Sequence, residues 1–287
     1  MLAIYKKELR SYFTSMIGYV FIAFFLVIIG IYFFIYNLLF GLANFEISLN
    51  SITFIFILLV PVLTMRLMSE EKKQKTDQLL LTSPLSAGSI IMGKYLAVLT
   101  IFLIVIAIIS SYPLIMSLYG SVPFGSAYAS IIGFALLGSA YLAMGLFISS
   151  LTESQVVAAV ISFIVFLFTA LMKGIASVFP SDNKTAYLVF CGVILLICIV
   201  LYRMMQNLTV SSIFGVIGIG GLTVAYKLSP TLFDGSIVKV SEWLSVISRF
   251  ENFSAGILDI TAVSYYLSII FLFIFLSAQV IKKRRWS

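Results

Sequence analysis

The chain contains no histidine, and that one absence removes His-ligated metal sites, serine–histidine triads and histidine proton relays together. Charge is scarce as well: Asp, Glu, Lys and Arg make up 10% of the residues, against about 25% in soluble domains. The two cysteines, Cys191 and Cys198, fall seven apart in an apolar segment, where they act as small hydrophobes near one helix face. No Walker phosphate loop is present, so this chain does not itself bind and hydrolyse ATP in the P-loop manner. No low-complexity linker and no internal repeat divides the 287 residues, which read as a single transmembrane domain, 1–287.

What the chain has in excess is apolar surface. Hydrophobic residues reach 62% and the mean hydropathy +1.16, more than a soluble core absorbs, so the expected class is an all-α polytopic membrane protein. The net charge of +7 is then a matter of membrane orientation rather than of nucleic-acid binding, because the basic residues border the apolar segments.

Residues 1–15 interleave Leu2, Ile4, Tyr5, Leu9, Tyr12 and Phe13 with Lys6, Lys7, Glu8 and Arg10, the spacing of an amphipathic interface helix. Residues 17–40 are long enough to span and too long for a cleaved leader core. A second span, 52–68, carries Pro61 and is expected to kink there. Spans three, four and five follow at 95–118, 127–151 and 156–179, the fifth holding Lys173 near one end, where it can snorkel. Residues 186–202 and 210–228, with Arg203 between them, form an extra hydrophobic hairpin, either two full spans or a re-entrant pair. Residues 229–261 form an outer loop in which Trp243, Ile247, Phe250, Phe253 and Ile257 make the stripe of an interfacial helix. The last span, 262–281, stops at Lys282-Lys283-Arg284-Arg285. The expected architecture is six core transmembrane helices plus the hairpin, about eight spans.

With both ends of the chain placed in the cytoplasm, that side holds thirteen of the eighteen Lys and Arg residues, a strong positive-inside bias. It also holds the polar island 69–94, SEEKKQKTDQLLLTSPLSAGSIIMGK. Every Asp and Glu lies outside the proposed spans, so neither intramembrane catalysis nor ion coupling at the midplane is supported. The uncharged polar groups Asn37, Ser110, Ser111, Tyr112, Ser139, Tyr141, Ser162 and Thr169 serve mainly as helix glue, and Ala135, Ser139 and Ala143 form a small-residue packing stripe. No pattern marks a substrate path. An energy source, where one is needed, is another protein.

Three stretches together resemble one family. The island and the residues after it, SEEKKQKTDQLLLTSPLSAGSIIMGKYLA, look like the loop after the second span of ABC type 2 transporter permeases, with its pattern E-E-x-x-x-G-T-x-E-L-L-L-T-x-P and then G-K-x-L-A. GLFISSLTESQVVAAVISF resembles that family's turn between spans four and five, and the tail from Arg249 to Trp286 is similar to the gliding-motility type. The resemblance implies a transmembrane permease subunit of an ATP-binding cassette exporter, not an enzyme, in the bacterial cytoplasmic membrane. It pairs with a second copy or a similar permease and sits on separate cytoplasmic ATPases. ATP and magnesium belong to that partner, and no cofactor or metal to this chain. The island becomes a cytoplasmic coupling helix, with Glu70, Glu71, Lys75, Thr76, Asp77, Gln78, Leu79, Leu80, Leu81, Thr82 and Pro84 as the ATPase-docking residues. Gly93 and Lys94 match the family's G-K, whereas Lys75 stands at its Gly and Gln78 at its second Glu.

Loss of that Gly favours an uninterrupted helix over residues 70–82, since Gly costs about 1 kcal/mol in a helix interior. Glu71 and Lys75 are spaced for a supporting i, i+4 pair, Asp77 can substitute for the missing carboxylate at Gln78, Pro84 ends the helix and Ser86 caps the next. The expected cargo is hydrophobic, amphipathic or peptide-like. The alternative is a mechanotransmitting or scaffolding membrane subunit driven by the same ATPase without solute transport; a passive channel lacks a polar filter.

Overall fold

The computed structural model describes all residues except 79–81, 83, 84, 179–181, 206, 207, 230–232 and 287, and leaves aside the side chains of 173, 176, 177, 196, 197, 199–205, 208–214 and 286. The positions of Leu79, Leu80, Leu81 and Pro84, and the side chains of Lys173 and Arg203, therefore lie outside the described residues. Among the described residues the secondary structure is helical, with no strand. Two compact units appear, one of Met1–Phe168 with Ile247–Ser287, the other of Thr169–Val246.

The first unit begins with α1 (Leu2–Thr14), then α2 (Ile17–Phe33) running into a π-helical end, Phe34–Leu39. Asn37 lies buried in that end: its Nδ2 donates to the Leu42 carbonyl at 2.7 Å, and its Oδ1 accepts from Ser48 Oγ at 2.7 Å. Those bonds close the turn into α3 (Phe45–Ile52), which is followed by α4 (Ile55–Thr64) and α5 (Arg66–Lys73). The second apolar segment is thus broken, with a 59° bend between α3 and the helix that follows it. The sharp bend sits at Thr53 and Phe54, not at Pro61, which is inside α4. Next come α6 (Ala87–Ile109), the one-turn α7 (Tyr112–Met116), α8 (Phe124–Leu151) and α9 (Gln155–Val178). Ser86 caps α6, its Oγ accepting from the Ser89 amide at 3.2 Å.

Within the second unit, α10 (Asn183–Met205) and α11 (Leu208–Leu228) pair, and α12 (Ser236–Leu244) follows. Ala186, Phe233 and Ile237 form its small core, under Tyr187 and Tyr226, whose rings lie 5.0 Å apart. The remaining helices, α13 (Phe250–Ser254) and α14 (Ile260–Trp286), belong to the first unit.

Among the described residues five helices are long and apolar enough to cross a membrane, or six when the bent pair counts as one span. The fully described parts of the expected hairpin, Asn183–Leu195 and Gly215–Leu228, are shorter apolar helices. Helical spans suit this composition because every backbone donor and acceptor is satisfied within the segment.

The core of the first unit is built around α8, 78% buried in its apolar window against 17–39% for the other long spans. Glycines make that possible. A Cβ on Gly138 would stand 2.4 Å from the Phe102 ring, and one on Gly145 2.3 Å from Thr64 Oγ1, so α4 and α6 approach the α8 backbone directly. Phe25, Phe56, Phe102 and Phe134, all buried, fill the layer beside Gly138, with Phe56 and Phe134 rings 4.5 Å apart. Of the stripe expected from the sequence, Ser139 and Ala143 are buried and Ala135 is half-buried.

In place of the one interfacial helix expected within the outer loop 229–261 stand two short helices, α12 and α13. Trp243 and Ile257 are exposed, but Phe250 and Phe253 are fully buried. A Cβ on Gly133 would come within 2.4 Å of the Phe253 ring, and Ser130 Oγ donates to the Phe253 carbonyl at 2.9 Å. The apolar face of α13 therefore packs on protein, on α8, rather than on lipid.

Candidate functional site

The polar island and its flanks gather at one end of the first unit, and the hub is Lys94. This lysine is fully buried one residue after Gly93 in α6. Its Nζ donates to Glu8 Oε1 at 2.8 Å and to the Leu67 carbonyl at 2.8 Å, and pairs with Glu71 Oε2 at 2.8 Å. Lys7 Nζ donates to the other Glu71 oxygen at 2.9 Å. Two lysines and two carboxylates from α1, α5 and α6 thus form a closed charge cluster. Burial alone disfavours a buried ammonium strongly, so a cluster of this kind persists only when the partners and remaining donors are matched.

The G-K pair has a geometric reason. Every fourth residue of α1 faces inward: Ile4, Glu8 and Tyr12 are its buried positions. A Cβ on Gly93 would stand 3.1 Å from the Met1 carbonyl oxygen and 3.2 Å from the Ile4 side chain, so glycine lets α1 close on α6 without displacing it by a few tenths of an ångström. Glu8 then meets Lys94, and the Tyr12 hydroxyl donates to the Leu63 carbonyl at 2.8 Å, near the α4–α5 joint.

That joint is held from the far side by Ser149 at the end of α8. Its Oγ donates to the Met65 carbonyl at 2.9 Å and accepts from the Met68 and Ser69 amides at 3.1 and 3.3 Å. Lys72 Nζ donates to the Ser150 carbonyl. Arg66 binds Glu70 at 2.7 Å and Ser15 Oγ at 3.0 Å, with its guanidinium 5.7 Å from the Tyr12 ring centre.

Burial pushes the Glu71 carboxyl up, but Lys94 and Lys7 outweigh it and hold the group below its ordinary value; α5, with five charged residues in eight, is too polar for the hydrocarbon layer. Lys7 is the mirror case: burial lowers it, and Glu71 raises it further, to a net upward shift.

The expected continuous helix over 70–82 does not form. α5 ends at Lys73, and Lys75 takes a left-handed conformation with φ of 57°. The Lys75 amide donates to the Lys72 carbonyl at 3.1 Å and the Thr76 amide to the Glu71 carbonyl at 3.0 Å, the paired bonds of a Schellman cap. Lys75 therefore occupies the C′ position that favours Gly, the residue of the family pattern. Glu71, spoken for by Lys94 and Lys7, does not pair with Lys75.

The other candidate residues divide by exposure. Glu70 pairs with Arg66, and Thr76 Oγ1 donates to the Glu71 carbonyl at 3.4 Å. Asp77 is buried and pairs with Arg284 at 3.1 Å, so its carboxylate is directed inward and does not replace one at Gln78. Lys75, Thr76, Gln78 and Thr82 are exposed, Thr82 Oγ1 donating to the Gln78 carbonyl at 2.9 Å. Sequence reasoning missed Lys7, Glu8, Ser149 and Arg284. A lysine inside an otherwise apolar helix, as Lys94 is in α6, requires a carboxylate from elsewhere, and Glu8 is the acid carried by α1. Among the described residues no group of metal-ligating side chains converges.

A helical bundle with several apolar spans and one charged end is that of a multi-pass membrane protein. The family model described as "ABC-2 family transporter protein" matches residues 42–226, well over half of the chain, and the chain belongs to that family. Its membrane domains are transport subunits, which in general work with an ATP-binding cassette partner. No curated protein and no solved structure gives a significant match.

Proposed function

We propose that this permease subunit exports a hydrophobic, amphipathic or peptide-like substrate, using ATP hydrolysed by a separate cytoplasmic ATPase that docks on the loop between α5 and α6. The charged end then faces the cytoplasm of a bacterial-type cell, and the chain works as a pair with itself or a similar permease. Similarity of its tail to gliding-motility permeases and an α10–α11 hairpin giving about eight spans belong to the same reading.

The observation that carries it is the Lys94 cluster. A partner that shifts the loop moves α5 directly, and Glu71, Lys94 and Glu8 are the contacts through which α6 and α1 must follow. Motion passes as a rigid-body population shift driven by the partner's differential affinity for ATP. Exposed Lys75, Gln78 and Thr82 face the partner in this reading, together with Leu79, Leu80 and Leu81, while Glu71 and Asp77 shape the surface from beneath.

The test is co-purification of the ATPase with the full chain carrying Leu80→Asp and Leu81→Asp. Loss of the ATPase with the permease still monodisperse in detergent is expected; normal co-purification defeats the docking assignment. In reconstituted vesicles, ATP turnover without movement of any lipid, peptide or drug tested overturns export in favour of mechanotransmission.

A further inference from the structure

The basic run 282–285 explains more than orientation. Arg284 Nη1 pairs with Asp77 Oδ2 at 3.1 Å and its Nη2 with Glu153 Oε1 at 3.0 Å, while Arg285 donates to the Leu85 carbonyl at 3.1 Å. Asp77 precedes the three leucines of the loop and Leu85 follows them. Two adjacent arginines at the end of α14 therefore hold the loop by both of its flanks. Lys282 and Lys283, beside them, are exposed.

From this we infer that Arg284 and Arg285 are positioning residues: a latch that ties Asp77 to the α8–α9 turn and Leu85 to the end of α14, and so sets how the loop between these flanks is presented. As a statement about presentation to an ATPase the inference rests on the docking reading above; as a statement about the loop it does not.

The chemistry suits a latch better than a surface decoration. The planar guanidinium of Arg284 hydrogen-bonds Glu153 through Nη2 while Nη1 ion-pairs with Asp77 on a different segment, a bridging that the point charge of Lys does less well. Asp77 is buried, so the Arg284 pair is better shielded than an exposed ion pair, whose contribution is near zero. Glu153 is largely exposed and adds direction more than strength. The latch also ties α14 to two positions about 200 residues earlier, so neither Asp77 nor Leu85 shifts without α14 or these contacts yielding.

Hydrogen–deuterium exchange on the purified full chain in detergent tests this without knowledge of the ATPase. Arg284→Gln with Arg285→Gln should raise exchange in peptides covering 76–86 about fivefold or more, the scale of one kcal/mol of local stability. Lys282→Gln with Lys283→Gln should leave them unchanged. Asp77→Asn, which cuts the same pair from the loop side, should reproduce the effect, and Arg284→Lys should restore only part of the protection. Unchanged exchange across α8 shows that the fold persists.

Equal exchange in the double-arginine variant and the wild type overturns the latch. So does a rise of the same size in the double-lysine variant, since any loss of charge then suffices. Retention of the ATPase by the Leu80→Asp, Leu81→Asp chain defeats docking alone and leaves the exchange result standing.

Discussion

Replacing Lys94 with Met keeps the stem and removes the charge, which isolates what the cluster contributes. Two acceptors at 2.8 Å, Glu8 Oε1 and the Leu67 carbonyl, lose their donor, and Glu71 Oε2 loses its ion-pair partner at 2.8 Å. Breaking a buried pair from one side costs about 3–5 kcal/mol, because the remaining charge is left desolvated. Lys7 moderates this, since it stays 2.9 Å from Glu71 and 3.9 Å from Glu8. The expected loss is therefore at the lower end, about 3 kcal/mol. Lys7→Met should cost no more than about 1 kcal/mol, as its side chain is 60% exposed. Adding Glu8→Gln and Glu71→Gln to Lys94→Met should recover more than half of the loss, because the orphaned carboxylates cause it. Thermal unfolding of the purified full chain reads all three. Should Lys94→Met melt no lower than Lys7→Met, the cluster is not what joins α1, α5 and α6, and the reasoning fails.

The pH dependence has a definite sign. The Glu71 carboxyl is held below its ordinary value, so its contribution is present above about pH 4.5 and is lost as pH falls through the lowered value; Lys7 is raised, so its contribution persists to about pH 10.5 and is lost above that. Melting of the wild type should fall at the acid end, and Glu71→Gln should flatten that limb. Lys75→Gly should stabilise by about 0.5–1 kcal/mol, since a left-handed non-Gly residue costs about 1–2 kcal/mol and glycine's freedom returns part of that; a lower melting temperature contradicts the Schellman assignment. Gly138→Ala should cost about 1–3 kcal/mol through the clash with Phe102, whereas Gly30→Ala, with nothing within 4 Å, should be neutral or mildly stabilising.

Much of the bundle was legible because apolar length is a strong pattern. The runs at 17–40, 95–118, 127–151 and 262–281 all reappear in the long helices Ile17–Leu39, Ala87–Met116, Phe124–Leu151 and Ile260–Arg285. Periodicity also found the apolar face of residues 250–253 but not its partner, because a stripe looks the same whether it meets lipid or Gly133. The G-K pair stood out as a motif, yet its role depends on Glu8, 86 residues away, and no local pattern carries that distance. Lys75 misled for a different reason. Its helix propensity is better than glycine's, but the chain must turn after Lys73 for Asp77 to reach Arg284, and that tertiary demand outweighs the preference of one residue. The apolar stretch before α4 breaks at Thr53 although Pro61 is the residue that advertises a kink.

The Glu8–Lys94 bond also bears on how the chain is made. α1 leaves the ribosome with its carboxylate well before its partner exists, and at about 5–20 residues per second the 86 intervening residues take several seconds to more than ten. During that interval α1 has no Gly93 surface to close on, and its buried face, Ile4, Glu8 and Tyr12, is without its α6 contacts. The same delay recurs for Asp77, whose arginine arrives about 200 residues later. The charged end is thus complete only once residue 284 has been made, and a chain stalled before it would lack the Asp77 pair.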